Sequence, residues 1–433
     1  MLTIEDVLSK IHGMQKFGIK PGLDRIKKLL EILDNPHEGI QVIHVAGTNG
    51  KGSTSAMIDS ILRAHGFRVG LYTSPYLEVF NERIRLNGEN ISDEDLIRHA
   101  NKVFNAVEIM EREGMESPTE FEVVTAIGFS YYKEKRVDFL VLEVGMGGRL
   151  DATNVVYPLV SVITPISFDH KEYLGDTLER IAKEKCGIIK KNIPVVTSLQ
   201  EKEALNVIEN TCRETGSKLY KVGEHIKFRP ISNSLLGQTF ELHSIKNFYE
   251  SLQITLLGEH QLLNASTAVG AVEVLSDYGI EINKEKVALG LKGAKWAGRF
   301  EILREEPYVI IDGAHNEAGF EVLKKSIISY FNDKKKIFVL GILKDKDFRR
   351  MLEIITPIAD KIITTKPDSP RALSSKELKE AIKCVTSKNI PIENEDDINK
   401  AVEIALNVAA KDDVIIFAGS LYMIGKVREI LRK

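Results

Sequence analysis

The first half of this chain is organised around residues 42–53, which read Val42-Ile43-His44-Val45-Ala46-Gly47-Thr48-Asn49-Gly50-Lys51-Gly52-Ser53. The opening apolar residues are typical of a buried parallel strand. The residues after the loop carry apolar side chains at helical spacing, at Met57, Ile58, Ile61 and Leu62. Glycines let backbone N–H groups approach anionic oxygens, a helix N-terminus favours negative charge, and Lys51 can reach outer phosphates. This order of strand, loop, lysine and helix predicts a phosphate-binding loop; the alternative is a glycine-rich turn without a ligand.

The loop departs from the standard phosphate loop at two positions. Val45 stands where the first glycine would be, and Gly52 stands where Ser or Thr usually offers a hydroxyl to magnesium. Either Ser53 or a more distant residue must then supply that ligand.

Short apolar runs with helical patterns between them recur along the chain, and this alternation indicates a parallel sheet with crossover helices. The predicted strands are Val42–Val45, Val69–Tyr72, Phe139–Leu142, Val160–Ile163, Pro194–Val196, Tyr308–Ile311, Ile337–Leu340, Ile362–Thr364 and Val414–Phe417. Polar alternating runs between about residues 217 and 257 predict a small antiparallel excursion. We expect an α/β fold, with a P-loop-type, mostly parallel sheet in an N-terminal domain of residues 1–296 and a smaller Rossmann-like α/β domain of residues 297–433.

Two predicted helices carry candidate site residues. The first begins in Ser117-Pro118-Thr119-Glu120, with Ser117 as N-cap and Glu120 closing a capping box. The second covers residues 177–187 and contains Lys185 near its end. On the residues alone, Lys185 is a surface lysine favoured by the helix dipole.

Composition excludes several classes of protein. The chain has 433 residues, of which 43% are hydrophobic and 28% charged, and its net charge is −3. Such a chain buries a substantial core, and its charge balance argues against a nucleic-acid binder. Three widely separated cysteines favour a reducing compartment, and no stretch reaches the length of a membrane span. The N-terminus does not resemble a signal peptide, so we expect a cytoplasmic protein that is not associated with a membrane. We also expect a monomer.

The loop Gly47-Thr48-Asn49-Gly50-Lys51 resembles the ATP loop of the Mur ligase superfamily, and Gly52-Ser53 narrows the resemblance to its folylpolyglutamate synthase branch. Further segments agree in order along nearly the whole chain. They are residues 16–23 (KFGIKPGL), 72–75 (YTSP), 80–84 (FNERI), 143–154 (EVGMGGRLDATN), 169–170 (DH), 296–299 (WAGR), 312–316 (DGAHN) and 369–372 (SPRA).

Candidate metal ligands lie at strand ends. Glu143 ends the run Phe139–Leu142, where a phosphate-loop enzyme places a metal-linked acid; the alternative is an acid that caps the next turn. Ser74 follows Val69–Tyr72, and its hydroxyl either replaces the one missing at Gly52 or belongs to a turn serine. A lone histidine such as His170 is more often structural. The resemblance implies magnesium at Ser74 and Glu143, a second magnesium at His170, and a carbamylated Lys185.

A second strand-end site is predicted in the C-terminal domain. Asp312 follows a predicted strand and precedes a glycine and a helix that starts near Glu317, an arrangement typical of a ligand site or of an Asx-type cap. Arg299 lies near the domain boundary, where its guanidinium can bind phosphate oxygens. The resemblance implies that ATP contacts Thr48, Asn49, Gly50, Lys51, Gly52, Ser53, Asn264, Arg299 and Asp312, with His315 nearby. We therefore expect an ATP site shared by two domains that close on it.

The resemblance also implies an acceptor pocket for a pterin. The residues implied are Thr119, Glu120, Phe121, Glu122, Leu150, Asp151 and Ala152. Phe121 can contact a flat ring, and a carboxylate can pair with the amino and N–H donors of the ring. An ordinary amphipathic helix start is the competing interpretation of Thr119–Glu122.

The reaction implied by the resemblance is ATP-dependent amide formation. A folate carboxylate attacks the γ-phosphate to give an acyl phosphate, and the amine of L-glutamate then displaces phosphate. Lys51, Lys185, His170 and His315 are the catalytic candidates, and either histidine can move protons in the second step. The nearest alternative acceptor is dihydropteroate, alone or as a second activity. A cell-wall ligase is disfavoured by Gly52 and Ser74, and a nucleotide-driven switch would hydrolyse ATP without folate or glutamate.

Overall fold

The computed structural model describes residues 3–14, 18 and 20–432; part of the segment 16–23 quoted above lies outside them. The helices are α1 (Ile4–Gly13), α2 (Asp24–Ile32), α3 (Lys51–Ala64), α4 (Asp93–Arg112), α5 (Glu120–Lys135), α6 (Lys171–Leu174), α7 (Leu178–Cys186), α8 (Lys202–Thr215), α9 (His260–Val274), α10 (Lys284–Gly293), α11 (Glu317–Phe331), α12 (Phe348–Ile355), α13 (Ser375–Val385), α14 (Ile398–Val408) and α15 (Leu421–Arg432). The strands are β1 (Val42–Ala46), β2 (Val69–Tyr72), β3 (Ile84–Leu86), β4 (Glu89–Asn90), β5 (Phe139–Glu143), β6 (Val160–Ile163), β7 (Val195–Thr197), β8 (Leu219–Lys221), β9 (Lys227–Ser234), β10 (Gly237–His243), β11 (Phe248–Ile254), β12 (Glu301–Glu305), β13 (Tyr308–Asp312), β14 (Lys336–Leu340), β15 (Lys361–Thr364), β16 (Ile392–Asn394) and β17 (Val414–Ala418).

Eight strands form one large sheet in the order β4-β3-β2-β5-β1-β6-β7-β8. The pairs from β2 to β8 are parallel, and only β3 and β4 run antiparallel to their neighbours. The central strands β1, β5 and β6 are buried along their whole length. This burial explains why they are mostly apolar in the sequence, with one polar residue in each. The neighbours of β1, which leads into the phosphate loop, are β5 and β6, so the ends of these strands place their loops side by side.

A second sheet has six strands in the order β12-β13-β17-β14-β15-β16. Its pairs are parallel except that β12 runs antiparallel to β13. Its core contains Phe320, Phe331, Phe338 and Ile416, all fully buried, together with other apolar side chains. The predicted fold class is confirmed: one mostly parallel sheet precedes a smaller α/β sheet.

A three-stranded sheet, β11-β10-β9, lies between the two in sequence. Short turns join consecutive strands, the arrangement of antiparallel hairpins. The predicted excursion began at residue 217, and this start was wrong. Residues Leu219–Lys221 form β8, which pairs in parallel with β7 after the crossover helix α8.

The contacts divide the chain into two compact units that are not contiguous in sequence. Unit 1 comprises residues 1–230, 240–253 and 263–294, and unit 2 comprises residues 231–239, 254–262 and 295–433. The chain thus passes from one unit to the other several times before residue 295.

The predicted start of the helix near residue 117 was wrong by two residues. Helix α5 begins at Glu120, and Thr119 is its N-cap, with Glu122 closing the capping box. Both Ser117 and Thr119 are followed three residues later by a glutamate, so the sequence contains two overlapping cap patterns. The structure uses the later pattern, in which Glu122 also accepts a hydrogen bond from Arg25 at 3.1 Å. Over the described ranges, no helix combines the length and apolar character that crossing a bilayer requires.

Candidate active site

The phosphate loop connects β1 to α3 at one end of the large sheet. Gly50 is the N-cap of α3 and has φ of +83°, a left-handed conformation that favours glycine. A Cβ at Gly50 would lie 2.5 Å from Oδ1 of Asn264, so the loop and α9 are in close contact. Asn264 itself is buried. The structure therefore brings Asn264 to the phosphate loop, beside other residues that the resemblance assigns to ATP.

Two backbone amides of the loop are already bonded within the protein. The N–H groups of Thr48 and Asn49 donate to the carbonyl oxygen of Pro165, at 2.9 and 3.2 Å. The Thr48 hydroxyl donates to the Ser167 carbonyl at 3.0 Å. Thr48 thus anchors the loop to the segment that follows β6. The first amides of α3, at Lys51 and Gly52, have no acceptor within their own helix and are the better candidates for phosphate contacts.

Lys51 and Glu143 face each other across this end of the sheet. Their Nζ and Oε1 atoms are 4.0 Å apart, and the Lys51 Nζ also donates to the Thr48 carbonyl at 3.2 Å. Glu143, the last residue of β5, is 4% exposed. The backbone N–H of Ser74 donates to Oε2 of Glu143 at 3.4 Å. The predicted metal ligands Ser74 and Glu143 are therefore neighbours beside the phosphate-loop lysine.

Lys185 is buried, so the interpretation as a surface lysine was wrong. Its side chain crosses from α7 to the phosphate loop, where Nζ donates to the Gly47 carbonyl at 2.8 Å. Burial, with a smaller contribution from the charge of Lys51, lowers its pKa to about 7. A substantial fraction of Lys185 is then a neutral amine near pH 7. Helical periodicity around Lys185 could not reveal this because the burying partner lies 138 residues earlier in the chain.

His170 lies at the surface just before α6, and its neighbour Asp169 is more enclosed. His170 has φ of +50°, and its Nε2 is 3.9 Å from Oδ2 of Asp169. The side chain of Asp169 is 9% exposed, against 37% for His170. The charge of Asp169 acts on Lys185 and raises its pKa, against the larger effect of burial. Sequence reasoning treated Asp169 only as part of a motif and missed it as a candidate ligand; its carboxylate offers the oxygen ligands that magnesium prefers.

The predicted acceptor residues cluster around the start of α5. The ring of Phe121 packs directly over Gly145, and it lies 6.2 Å from the ring of Tyr72. Asp151 is 7% exposed, and its Oδ2 accepts a hydrogen bond from the Met146 backbone at 2.8 Å. Burial raises the pKa of Asp151. Its neighbours Leu150 and Ala152 are half-buried and buried.

Glu120 and Glu122 have different surroundings. Glu120 Oε1 lies 3.7 Å from a guanidinium nitrogen of Arg83 and 3.6 Å from Nδ1 of His12. Glu122 is enclosed, and its Oε2 accepts bonds from Thr119 and Arg25. Thr119 and Glu122 therefore build the helix cap, whereas Glu120 and Phe121 remain candidates for acceptor contacts. Arg83 was missed as a candidate, although the motif at residues 80–84 contains it.

Unit 2 contains the remaining predicted nucleotide residues. Asp312 ends β13, and its carboxylate accepts from the backbone N–H groups of Phe300 and Ala314, both at 2.8 Å. Burial raises the pKa of Asp312, and the nearby charge of Arg299 opposes this effect. His315 Nδ1 lies 2.8 Å from the Gly313 carbonyl. Asp312 is not the cap of α11, because Asn316 fills that position and accepts from Gly319.

A further group of possible metal ligands lies away from the loop. In the described part of the chain, Asp95, His99 and Glu134 are the one set of three His, Cys or acidic residues close enough to share an ion. Three cations already neutralise its carboxylates: Arg98 pairs with both acids, Lys135 with Asp95, and Lys102 with Glu134. This group is a surface ion-pair network and not a metal site.

Comparisons with known proteins show the family of the chain. The family described as Mur ligase middle domain matches residues 45–272, and the Mur ligase, glutamate ligase domain family matches residues 298–421. A dihydrofolate synthase/folylpolyglutamate synthase of Bacillus subtilis is 40% identical over 430 residues, covering 99% of both chains. A folylpolyglutamate synthase of Lacticaseibacillus casei is 34% identical, again over 99% of both.

Solved structures of high similarity come from the same family. The Mycobacterium tuberculosis folylpolyglutamate synthase complexed with ADP superposes with a TM-score of 0.93 at 30% identity, covering 99% of both chains. The Escherichia coli FolC in complex with DHPP and ADP has a TM-score of 0.89 at 28% identity, covering 100% of this chain and 99% of that one. The chain therefore belongs to the Mur ligase family, in its folylpolyglutamate synthase branch of ATP-dependent acid–amino-acid ligases.

Proposed function

We propose that this chain uses ATP to join L-glutamate to the γ-carboxylate of tetrahydrofolate and its polyglutamates, through an acyl phosphate. The observation that carries the proposal is the grouping of Lys51, Glu143, Ser74 and Lys185 around one phosphate loop. Each of these residues comes from a different element, so the grouping is a property of the fold and not of one motif. The relatives named above act as folate-type glutamate ligases by their printed names.

The first step brings a carboxylate to a polyanion, so charge is its main difficulty. Lys51 and the amides at the start of α3 offset negative charge on the triphosphate. The carboxylate oxygen of the folate then forms a bond to the γ-phosphorus while the bond from that phosphorus to the β,γ-bridging oxygen breaks. ADP takes the electron pair of the broken bond, and an acyl phosphate remains on the acceptor.

Magnesium fits the residues at this site. The buried carboxylate of Glu143 and the hydroxyl of Ser74, whose backbone N–H donates to that carboxylate, are hard oxygen ligands, and Asp169 adds a second enclosed carboxylate. We assign Ser74 and Glu143 to one ion and Lys185 and His170 to a second. When bound, these ions supply positive charge to the phosphate oxygens. Histidine is the weakest part of this ligand set, because magnesium prefers oxygen and His170 is the more exposed of the candidates.

Carbamylation of Lys185 is chemically reasonable in this environment. The lowered pKa leaves an unprotonated amine, whose lone pair bonds to the carbon of CO2; loss of one proton gives a carbamate with a single negative charge. The modification replaces a buried cation by an oxygen ligand. It also relieves the repulsion from Lys51 that contributes to the low pKa.

The second step forms the amide. The amine of glutamate bonds to the acyl carbon, phosphate leaves with the bonding electrons, and the ammonium proton must be removed. His170 and His315 are the histidines proposed for this transfer, and Arg299 and Asp312 are assigned to the nucleotide.

A second activity on dihydropteroate is also proposed. The Bacillus subtilis relative carries both activities in its name, and the E. coli structure was determined with DHPP. Mass spectrometry of tetrahydrofolate and of dihydropteroate, each incubated with enzyme, ATP, magnesium and glutamate, tests both proposals. Mass increases by glutamate residues on tetrahydrofolate support the first proposal, and a single addition to dihydropteroate supports the second. Glutamate-independent release of ADP with neither product would overturn both.

A further inference from the structure

A chain of hydrogen bonds links the strand that leads into the phosphate loop to Asp151, one of the predicted acceptor residues. His44 lies in the middle of β1 and is fully buried. Its Nε2 is 2.9 Å from the Thr153 hydroxyl, and that hydroxyl donates to Oδ1 of Asp151 at 2.6 Å. His44 and Thr153 are 109 positions apart in the sequence, so this is a tertiary contact that no local pattern predicts.

The direction of the hydrogen bonds follows from the number of protons available. A threonine hydroxyl has one proton, and it is donated to the carboxylate of Asp151. Nε2 of His44 must therefore carry the proton that it shares with the Thr153 oxygen. Burial lowers the pKa of His44 to about 3, which keeps the imidazole neutral with one N–H. The His44 N–H therefore donates to the Thr153 oxygen, and the Thr153 O–H donates to the Asp151 carboxylate.

Asp151 is held at both oxygens by this arrangement. Oδ1 accepts from the Thr153 hydroxyl and also from the Thr153 backbone N–H at 3.0 Å, and Oδ2 accepts from Met146 at 2.8 Å. A carboxylate fixed in this way presents its remaining lone-pair directions to a ligand in one orientation only. The side chain is 7% exposed, so little of its surface is available to a ligand.

We propose that His44 and Thr153 are positioning residues that orient the Asp151 carboxylate toward the N–H donors of a planar nitrogen heterocycle in the acceptor pocket. This inference rests on the proposed function, because it takes the acceptor to be a pterin. It assigns to His44 a role separate from the phosphate loop that immediately follows it. Neither residue touches the acceptor; both act through Asp151.

The proposal is tested with Thr153→Val, which keeps the shape of the side chain and removes the hydroxyl. We expect the KM for tetrahydrofolate to rise about tenfold, the loss typical of one hydrogen bond to a charged group, while the KM for ATP changes less than twofold. Thr153→Ser retains the hydroxyl and is expected to restore the wild-type KM. Equal changes in both KM values, or an unchanged KM for tetrahydrofolate, would overturn the proposal.

A second pair of variants keeps the test decisive if Thr153→Val does not fold. His44→Leu removes the donor to Thr153, whereas His44→Gln places an amide N–H in its place. Only the leucine variant is expected to weaken tetrahydrofolate binding, and equal effects of the two variants would overturn the role of His44.

Ser161→Ala is the matched control: Ser161 lies beside His44 in β6, is equally buried, and donates to the Ile188 carbonyl instead. Its KM for tetrahydrofolate should not change, and an increase equal to that of Thr153→Val would overturn the proposal.

The wild-type enzyme distinguishes a failure of this inference from a failure of the proposed function. If the wild type adds glutamate to tetrahydrofolate but the variants leave its KM unchanged, the positioning role is wrong and the function stands. If the wild type forms no such product, the proposed function is wrong, and this inference falls with it.

Discussion

Lys185 shows how burial changes the chemistry of a single residue. An exposed lysine at the end of a helix is a cation, but here enclosure lowers the pKa to about 7 and directs the amine to the phosphate loop. We predict that Lys185→Ala loses most ligase activity and that short carboxylates such as formate or acetate restore part of it, because they replace the carbamate oxygens. Steady-state rates with and without added carboxylate check this prediction.

The matched control for that measurement is Lys183→Ala. Lys183 lies on the same helix, two residues away, but its side chain is exposed. It should retain wild-type activity and show no response to formate. If Lys185→Ala also turns over at the wild-type rate, the carbamate plays no part in the reaction.

Lys51 is predicted to act in the first chemical step and to contribute little to the stability of the fold. Its side chain is 16% exposed and makes one hydrogen bond, to the Thr48 carbonyl. Lys51→Ala should therefore unfold at nearly the wild-type temperature while acyl-phosphate formation falls by at least a hundredfold, as expected for removing one charge-stabilising group. ADP release that depends on folate and glutamate is the measurement. Retention of that release in the folded variant would contradict the role assigned to Lys51.

His44 is predicted to make stability depend on pH. Its folded pKa is about 3, whereas an unfolded histidine has a pKa near 6.5, so between these values only the unfolded chain binds the proton. Stability contributed by the neutral imidazole is therefore complete above pH 6.5 and is lost as pH falls. The loss at pH 5 is about 2 kcal/mol, at roughly 1.4 kcal/mol per pH unit.

Urea unfolding of the wild type and of His44→Gln at pH 7 and pH 5 measures this loss. Glutamine does not titrate, so the variant should lose about 2 kcal/mol less than the wild type between the two pH values. Equal losses in the two proteins would show that His44 does not stay neutral in the folded state.

At the level of elements, strands were predicted more accurately than caps. Val69–Tyr72 and Val160–Ile163 were predicted to the residue, because a strand buried on both faces is mostly apolar. Strand β8 was assigned to the wrong sheet. Its three residues alternate between half-buried and buried, and so short a segment shows little hydrophobic periodicity. Burial of Lys185 was not predictable for a different reason: it depends on a contact between distant residues, which composition and periodicity do not encode.

The two overlapping cap patterns before α5 allow a paired test. The Thr119 hydroxyl accepts a hydrogen bond from the Glu122 N–H, and the Thr119 N–H donates to the Glu122 carboxylate. We predict that Thr119→Ala lowers the free energy of unfolding by about 1–2 kcal/mol, the usual cost of losing an N-cap. Ser117→Ala, two residues earlier, should change it by less than about 0.5 kcal/mol. Chemical denaturation of both variants gives the comparison, and a larger effect at Ser117 would place the cap there instead.

At the scale of the whole molecule, unit 2 is completed by two segments that precede residue 295. Gln238 donates to the carbonyl oxygens of Leu256 and Gly258, at 2.8 and 2.9 Å, and the Gly258 N–H donates to the Tyr330 hydroxyl at 3.1 Å. Leu257 belongs to the same apolar core as Phe300. The family match that starts at residue 298 therefore covers less than the structural unit.

This organisation predicts how a fragment of residues 295–433 behaves. It contains the whole six-stranded sheet, so helical and strand content should persist, but the loss of Leu257 and of the bond to Tyr330 exposes part of the core. We expect the fragment to bind the dye ANS and to unfold several degrees lower than the same fragment mixed with a peptide of residues 231–262, because that peptide restores the missing cover. A peptide carrying Leu257→Asp is the control, since it keeps the backbone bonds and removes the apolar contact. A fragment equally stable with and without the wild-type peptide would mean that residues 295–433 fold as a self-sufficient domain.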